Sequence, residues 1–315
     1  MEKREIRRYS KQQVSDWAVK VLQEQFGCGV QSIKYAGGGY FGFVYRAVIS
    51  KPPHQVIIKA ALSPDMYLSE AADLALLGKN CPVPVPEVYF TFPATGDIPV
   101  DFICMECMSG RVAVLAFSFS LLSKKKRQAF ADKIVDAMLV WHEKTNDKFG
   151  FTSNAVFDSW LDFYRPMAED ILITSEKNEK IISKASLRLM KQAYDKFDYI
   201  FSETVDRPSL VHGDLNVCNI LCDNNLNPTA IIDPLESKWA DREFDLFQLV
   251  NMNGNWFGLY DTYKRRVKTS EKCDIKCAFY GLFNEAYCSL LADIRMSDGN
   301  AYVKWMDKEL DKIRF

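Results

Sequence analysis

Residues Gly37-Gly38-Gly39-Tyr40-Phe41-Gly42-Phe43-Val44 constrain the chain most, because four glycines fall inside a stretch that otherwise reads as strand. On their far side, residues 42–49 and 56–59 are apolar, strand-like runs separated by Pro52-Pro53, so the simplest reading is two antiparallel strands. A doubly wound dinucleotide fold needs a helix directly after its glycines and an acidic residue about 20 positions on. A second strand follows here instead, which removes that fold. The pattern G-x-G-x-x-G-x-V on a strand-turn-strand lets backbone N–H groups approach phosphate oxygens. Taken alone, it fits a plain glycine-rich hairpin equally well.

The surrounding periodicities frame that hairpin. Residues 10–26 carry a helical stripe of Val14, Trp17, Ala18, Val21 and Leu22, opened by a capping-box spacing of Ser10 and Gln13. Ser63-Pro64 supplies a helix start, and Tyr67, Glu70, Ala71, Leu74 and Leu77 continue it for about four turns. Pro82, Pro84 and Pro86 then force an extended connection to strands at 88–92 and 102–108. Beyond Ser109-Gly110 the pattern becomes helical, over 124–144, 159–173, 185–203 and 275–292. A hairpin of 219–222 with 230–232 interrupts it. The expectation is an α+β chain with an antiparallel sheet first and helices after.

Composition narrows the partners. The 315 residues are 48% hydrophobic and 26% charged with a net charge of -1, so no global field draws the chain to nucleic acid or an anionic membrane. No apolar run is long enough to span a bilayer, and no secretory core follows the charged start, so a cytoplasmic protein is expected. Nine cysteines with three histidines lack paired zinc knuckles; Cys104 and Cys107, inside an apolar run, are expected to be buried free thiols. The basic run at 124–127 reads as the solvated face of a helix whose apolar stripe is Phe130, Ile134, Ala137, Met138 and Trp141.

The residues that carry chemistry come in one order. Lys59 ends a strand seventeen positions after Gly42, placed to direct its ammonium at nucleotide phosphates, and Glu70 on the following helix is of the type to hold it extended. Asp214 and Asn219, in His212-Gly213-Asp214-Leu215-Asn216-Val217-Cys218-Asn219, have the spacing of a carboxylate that accepts a hydroxyl proton and an amide that binds a metal. Asp233, fourteen positions later, ends an apolar strand and offers a hard oxygen ligand for Mg2+. Each piece has a bland counterpart, such as a turn residue or a loop cap. Their joint occurrence in this order is what points to phosphoryl transfer.

Residues 33–291 resemble the aminoglycoside phosphotransferase and fructosamine kinase superfamily, which shares the protein-kinase-like fold. His212-Gly213-Asp214 is similar to the catalytic loop of these small-molecule kinases, where protein kinases have His-Arg-Asp. Asp233-Pro234 stands for Asp-Phe-Gly, and no Ala-Pro-Glu segment follows. Trp160-Leu161-Asp162-Phe163-Tyr164 and Asp241-Arg242-Glu243-Phe244-Asp245-Leu246 resemble fructosamine kinases, while the eight positions from Asp233 to Asp241 match aminoglycoside and macrolide phosphotransferases.

The resemblance implies a bilobal chain, an N-lobe over 1–108 and a helical C-lobe over 109–315, with ATP and Mg2+ between them. Gly37, Gly38, Gly39, Gly42 and Val44 would cover the nucleotide. The backbone of Glu106 and Met108 would face adenine with Met105 behind, Asn219 and Asp233 would hold the metal, and Asp214 would be the catalytic base. The acceptor would be a sugar-like, amine-bearing small molecule of ketosamine or aminoglycoside type. Asp245 would tie the C-lobe to the catalytic loop, His212 would orient that loop, and His142 reads as structural with no evident partner carboxylate. Trp256, Phe257, Tyr260 and Tyr263 either line the sugar side of the cleft or pack in the core. A nucleotide-binding pseudokinase and a protein kinase are the competing readings. Oligomeric state is open.

Overall fold

The computed structural model describes residues 9–39, 42–61, 66–118, 122–234 and 236–313. Helix α1 (Lys11–Phe26) opens on the capping box, in which Gln13 N–H donates to the Ser10 hydroxyl and the Gln13 amide oxygen accepts from Ser10 N–H. It ends at Gly27 in the left-handed region, φ 56°, where a glycine carries no Cβ penalty. Strands β1 (Val30–Gly39), β2 (Gly42–Ile49), β3 (Gln55–Ala61), β4 (Val88–Phe92) and β5 (Asp101–Glu106) form one antiparallel sheet in the order β1-β2-β3-β5-β4.

Period-two alternation gives this sheet two faces with different tasks. Tyr45, Ala47, Val56, Ile58, Ala60, Phe102 and Cys104 pack under the α1 stripe of Val14, Ala18, Val21 and Leu22. The opposite face presents Ala61, Ile103 and Met105 to Tyr67 and Leu74 of helix α2 (Met66–Gly78). Register puts Val44, Lys59 and Ile103 in one row across that face, with Arg46, Ile57 and Met105 in the next. The Ser63-Pro64 helix start lies outside the described residues, as does the loop tip at Tyr40 and Phe41.

The rest of the chain is mainly helical, as expected, but the number of strands is not. Strand β6 (Arg111–Val112) leads into a 3-10 segment at Ala113–Ser118 and helix α3 (Lys124–Glu143), whose Phe130, Ile134, Ala137, Met138 and Trp141 are fully buried. Then come β7 (Phe149–Phe151), β8 (Asn154–Phe157), α4 (Trp160–Glu176), α5 (Lys184–Asp195), α6 (Phe197–Ile200) and β9 (Ser209–Val211). They are followed by β10 (Ile220–Cys222), β11 (Pro228–Ile231), β12 (Lys238–Ala240) and a 3-10 run at Arg242–Asn253. Helices α7 (Gly254–Phe257), α8 (Leu259–Arg266), α9 (Cys273–Ala292) and α10 (Ala301–Asp311) complete the chain. The expected hairpin is the β10–β11 pair, joined by β6, and a second small sheet runs β8-β7-β12-β9. The helix expected over 185–203 is two helices, because Lys196 leaves the helical region at φ -100°, ψ 12°.

Two other expectations change. Strand β5 stops at Glu106, so Cys107 and Met108 lie beyond it, and Cys107 is half-buried with its Sγ 3.0 Å from Arg46 Nε. All nine cysteines are free thiols. Phe257, Tyr260 and Tyr263 are buried core residues of α7 and α8, and Arg127 stacks on Trp256 at 4.6 Å, so this group does not line the cleft. Among the described residues no helix is long and apolar enough to cross a membrane.

Helix α2 is bound to the helical region as well as to the sheet. Trp141 Nε1 donates to Leu77 O at 2.8 Å, and Lys144 Nζ donates to Leu76 O and Lys79 O at 2.6 and 2.7 Å. These donors cap carbonyls that a helix C-terminus leaves unpaired. At the other end of the molecule α9 and α10 approach closely at Gly281, where a Cβ would collide with the Tyr302 ring. Gly281→Val is expected to cost about 1–3 kcal/mol through overpacking. A urea-unfolding midpoint equal to that of the unsubstituted protein would show that this helix contact is not formed.

Candidate active site

The strand-to-loop junction after β9 is held by a buried carboxylate. Asp245, fully buried, accepts from the backbone N–H groups of His212 and Gly213, both at 2.9 Å. His142, at the end of α3, brings its Nε2 within 3.6 Å of the same carboxylate while its Nδ1 lies 2.8 Å from the Tyr263 hydroxyl. The partner carboxylate that the sequence did not reveal is therefore Asp245. Burial alone would raise the Asp245 pKa, but the proximity of His142, charge from His212 and the His212 N–H bond outweigh it and hold the carboxyl low. His212 turns its Nδ1 to the Asp214 N–H at 3.3 Å and is itself buried, which lowers its pKa. Its ring is part of the loop's internal bonding.

This folded loop presents Asp214. Asn216 Nδ2 donates to Asp214 Oδ1 at 2.9 Å, and Asn219 Nδ2 donates to Asp214 Oδ2 and to its carbonyl oxygen, both at 2.8 Å. Burial pushes the Asp214 carboxyl up to about 7; the two amide donors oppose that rise and the nearby Asp233 charge reinforces it. Asn219 stays beside the end of β11 because Ile232 N–H donates to its carbonyl oxygen at 2.9 Å. Next along, Asp233 adopts the left-handed backbone region at φ 59°, uncommon for a residue other than glycine and typical of strained functional positions.

Lys59 comes to this point from the sheet. Its Nζ lies 2.5 Å from Asp233 Oδ1 and 2.9 Å from Glu70 Oε2, so β3, α2 and the segment after β11 meet at one ammonium. Burial would lower the Lys59 pKa, yet Glu70 and Asp233 together raise it above its ordinary value. The Lys59 ammonium likewise holds the Asp233 carboxyl below the usual range against a desolvation that would raise it. Gly37, Gly38 and Gly39 end β1 opposite Gly42, Phe43 and Val44 of β2. Gly42 needs to be glycine, since a Cβ there would strike the Ala60 carbonyl oxygen. At the far end of the same face Met105 is buried on the α2 side, Glu106 has its N–H spent on Glu87 O at 2.8 Å, and Met108 is half-buried. Glu106 is left with its carbonyl as the backbone group to offer.

The expected residues thus converge, and the structure adds some the sequence reading passed over. Asn216 lies inside the quoted motif, and its amide was the available signal. Asp73, on α2 one turn after Glu70, is fully buried; it accepts from the Thr152 hydroxyl and from Ser237 N–H at 3.0 Å. Burial lifts its pKa to about 6. Beside it Lys238 is buried with a lowered pKa, its Nζ 2.5 Å from Glu236 O. These groups border a cavity of about 500 Å³ that reaches Gly213 of the loop after β9.

The family model for fructosamine kinase matches residues 11–305. The chain belongs to the fructosamine kinase family. It is accordingly a small-molecule kinase, a phosphotransferase acting on hydroxyl groups. Among solved structures, a protein of Haemophilus somnus 129PT described as a fructosamine-3-kinase shares 21% identity, with 95% of this chain and 97% of that chain covered at a TM-score of 0.65. A thermostable mutant of aminoglycoside phosphotransferase APH(4)-Ia, in a ternary complex with ADP and hygromycin B, shares 16% over 94% and 97% at 0.69. The gentamicin complex of APH(2")-IIa shares 16% over 98% and 97% at 0.64. These likenesses carry the fold, a bilobal protein-kinase-like one. A comparison with curated proteins finds no significant match.

Asp245→Ala would leave the His212 and Gly213 N–H groups without an acceptor in a buried site. The expected loss is about 1–3 kcal/mol for each group, read as a lower urea midpoint. An unchanged midpoint would mean that water replaces the carboxylate.

Proposed function

We propose that the protein transfers the γ-phosphate of ATP to a hydroxyl of a sugar-like, amine-bearing small molecule, with Asp214 as catalytic base. The observation that carries this is the meeting of Lys59, Glu70 and Asp233 in one ion-pair cluster beside a half-buried carboxylate, Asp214, that two amides hold in place. In this reading the lobes divide after Met108. Gly37, Gly38, Gly39, Gly42 and Val44 cover the phosphates, while Met105, the Glu106 carbonyl and the Met108 backbone border the adenine. Lys59, oriented by Glu70, neutralises phosphate charge.

Asp214 orients the acceptor hydroxyl and takes its proton as the oxygen forms a bond to the γ-phosphorus, and the bond from that phosphorus to the β–γ bridging oxygen breaks, with ADP leaving. The donor set fits Mg2+. Asn219 spends its N–H bonds on Asp214, so its amide oxygen would be the ligand it offers, and Asp233 would add a carboxylate. Among the described residues no group of three or more His, Cys, Asp or Glu side chains is placed to hold a metal alone. Few protein ligands, all oxygen, is the pattern of a magnesium ion that keeps water and phosphate in its shell. When bound, the ion would neutralise charge on the phosphate oxygens.

Asp214→Asn tests the assignment. Phosphate transfer to acceptor, followed by mass spectrometry of the product, is expected to fall by about 10²–10⁴, the usual worth of a general base, while ATP binding persists. Undiminished transfer would remove Asp214 from the mechanism. Mg-ATP bound but never consumed by the unsubstituted protein, across ketosamines, aminoglycosides, macrolides and simple sugars, would make it a pseudokinase.

A pH profile gives an independent check. Only the ionised carboxylate accepts a proton, so a pKa raised to about 7 makes kcat/KM for the acceptor fall as the pH drops through 7. A limb that survives in Asp214→Asn at residual rate would belong to another group.

A further inference from the structure

Helix α2 carries two carboxylates at i and i+3, Glu70 and Asp73, which makes them neighbours on its surface. They serve opposite sides of the site. Glu70 meets the Lys59 ammonium, with Oε1 and Oε2 at 3.0 and 2.9 Å from Nζ. Asp73 turns to the helical region, where its fully buried carboxylate accepts from the Thr152 hydroxyl and from Ser237 N–H.

Those two donors belong to the frame that carries Asp214. Thr152, in the turn between β7 and β8, donates its N–H to Ser237 O at 3.0 Å. Ser237, fully buried just before β12, donates its hydroxyl to His212 O at 3.2 Å, and the residues after it pair with β9, Lys238 opposite Val211 and Trp239 opposite Leu210. Two hydrogen bonds thus lead from Asp73 to the loop that bears Asp214.

The two sides of this path are not equally fastened. The loop keeps Asp245 on its His212 and Gly213 N–H groups and the β9–β12 ladder behind it, whether or not Asp73 is present. Helix α2 is gripped by Trp141 and Lys144 only at its C-terminal end, at Leu76, Leu77 and Lys79, while its Tyr67 and Leu74 pack on the sheet. Asp73 is the polar anchor that ties the turn bearing Glu70 to the helical region.

We propose that Asp73 is a positioning residue for phosphoryl transfer: it latches α2 to Ser237 and so holds Glu70, and through it Lys59, in register with the loop that presents Asp214. This rests on the reading of Asp214 as the base. Loss of the latch moves Glu70 rather than the loop, and a misdirected Lys59 ammonium costs rate at the phosphates while nucleotide and acceptor still bind. The latch works by hydrogen bonds, not by charge. Asparagine has the same shape; its oxygen can accept from Ser237 N–H and its NH2 can donate to the Thr152 hydroxyl, which accepts as readily as it donates.

The test is a double-mutant cycle in the full chain, with Mg-ATP-dependent phosphate transfer to the fructosamine of glycine expressed per ATP-binding site. Asp73→Ala is expected to lower kcat about tenfold or more while the acceptor KM stays within about twofold, and Asp73→Asn to remain within about threefold of the unsubstituted protein. Added to Glu70→Gln, Asp73→Ala is expected to lower kcat by less than about twofold, because the register it protects no longer reaches Lys59. Thr152→Val, which keeps the side-chain shape and removes one donor, repeats the cycle where Asp73→Ala does not fold, with a smaller fall that again vanishes in Glu70→Gln. An equal fall in both backgrounds, which is what damage to the fold alone gives, overturns the proposal. So does an acceptor KM raised at unchanged kcat, or an asparagine variant as slow as the alanine one. Hydrogen exchange of the α2 amides, read without substrate, is expected to quicken in Asp73→Ala and not in Asp73→Asn. Quickened exchange in a protein whose unsubstituted form transfers no phosphate upholds the latch and overturns the kinase reading of Asp214; unchanged exchange overturns the latch whatever the turnover.

Discussion

A single buried carboxylate organises the catalytic region. Asp245 lies in a 3-10 run, thirty-three positions after His212, and reaches back to the loop between β9 and β10 to accept two consecutive N–H groups. Those donors sit where the chain turns sharply at Gly213, φ 85°, and cannot pair with a strand. With no acceptor they would be buried and unsatisfied, which folded proteins avoid. His142 and Tyr263 back the carboxylate from α3 and α8, so three helical segments are committed to one loop conformation. Asn216 and Asn219 then have a fixed frame from which to hold Asp214.

A second set of contacts brings the sheet to that frame. Helix α2 carries Glu70 toward Lys59, and one turn later Asp73 toward Ser237 and Thr152. Trp141 and Lys144 grip its C-terminal carbonyls. The helix that pairs with Lys59 is therefore fastened to the helical region from Asp73 to its C-terminal end. Its position relative to the loop after β9 is fixed by these hydrogen bonds together with the packing of Leu77 in the core. That arrangement suits a site in which misplacement by an ångström costs rate more than stability.

The parts legible in the sequence are those encoded locally. The strand-glycine-strand order, the capping box at Ser10, the helical stripe of α3 and the spacing from His212 through Asn219 to Asp233 all rest on neighbours within a few turns. What escaped was non-local. Strands β6, β7, β9 and β12 have two or three residues, too few for alternation to register, and they exist because distant partners pair with them. Asp73 finds its acceptor role through residues 79 and 164 positions away. His142 looked partnerless because Asp245 lies about a hundred positions downstream in a segment whose helical pattern is weak. Tyr260 and Tyr263 carried the same spacing whether they faced a sugar or a core, and only the docking of α8 on α3 decides for the core.

The ion-pair cluster also explains why a divalent cation belongs to the proposed cycle. Lys59 now neutralises Asp233, and Asp233 lies close enough to Asp214 for its charge to matter. On the proposed reading a nucleotide draws the same ammonium to its phosphates. One positive charge then faces Asp233, Asp214 and the phosphate oxygens together, in a cleft whose low dielectric magnifies each repulsion. Glu70 adds a fourth anion and cannot retreat, since α2 is fastened. On that reading a divalent cation, held by Asp233, would relieve the repulsion. Asn219, whose nitrogen is bonded to Asp214, would add its amide oxygen as a second ligand. On the proposed reading the bonds that hold the base also fix the residue that would ligate the metal, so disturbance of the Asp214–Asn219 pair would reach proton removal and charge neutralisation at once.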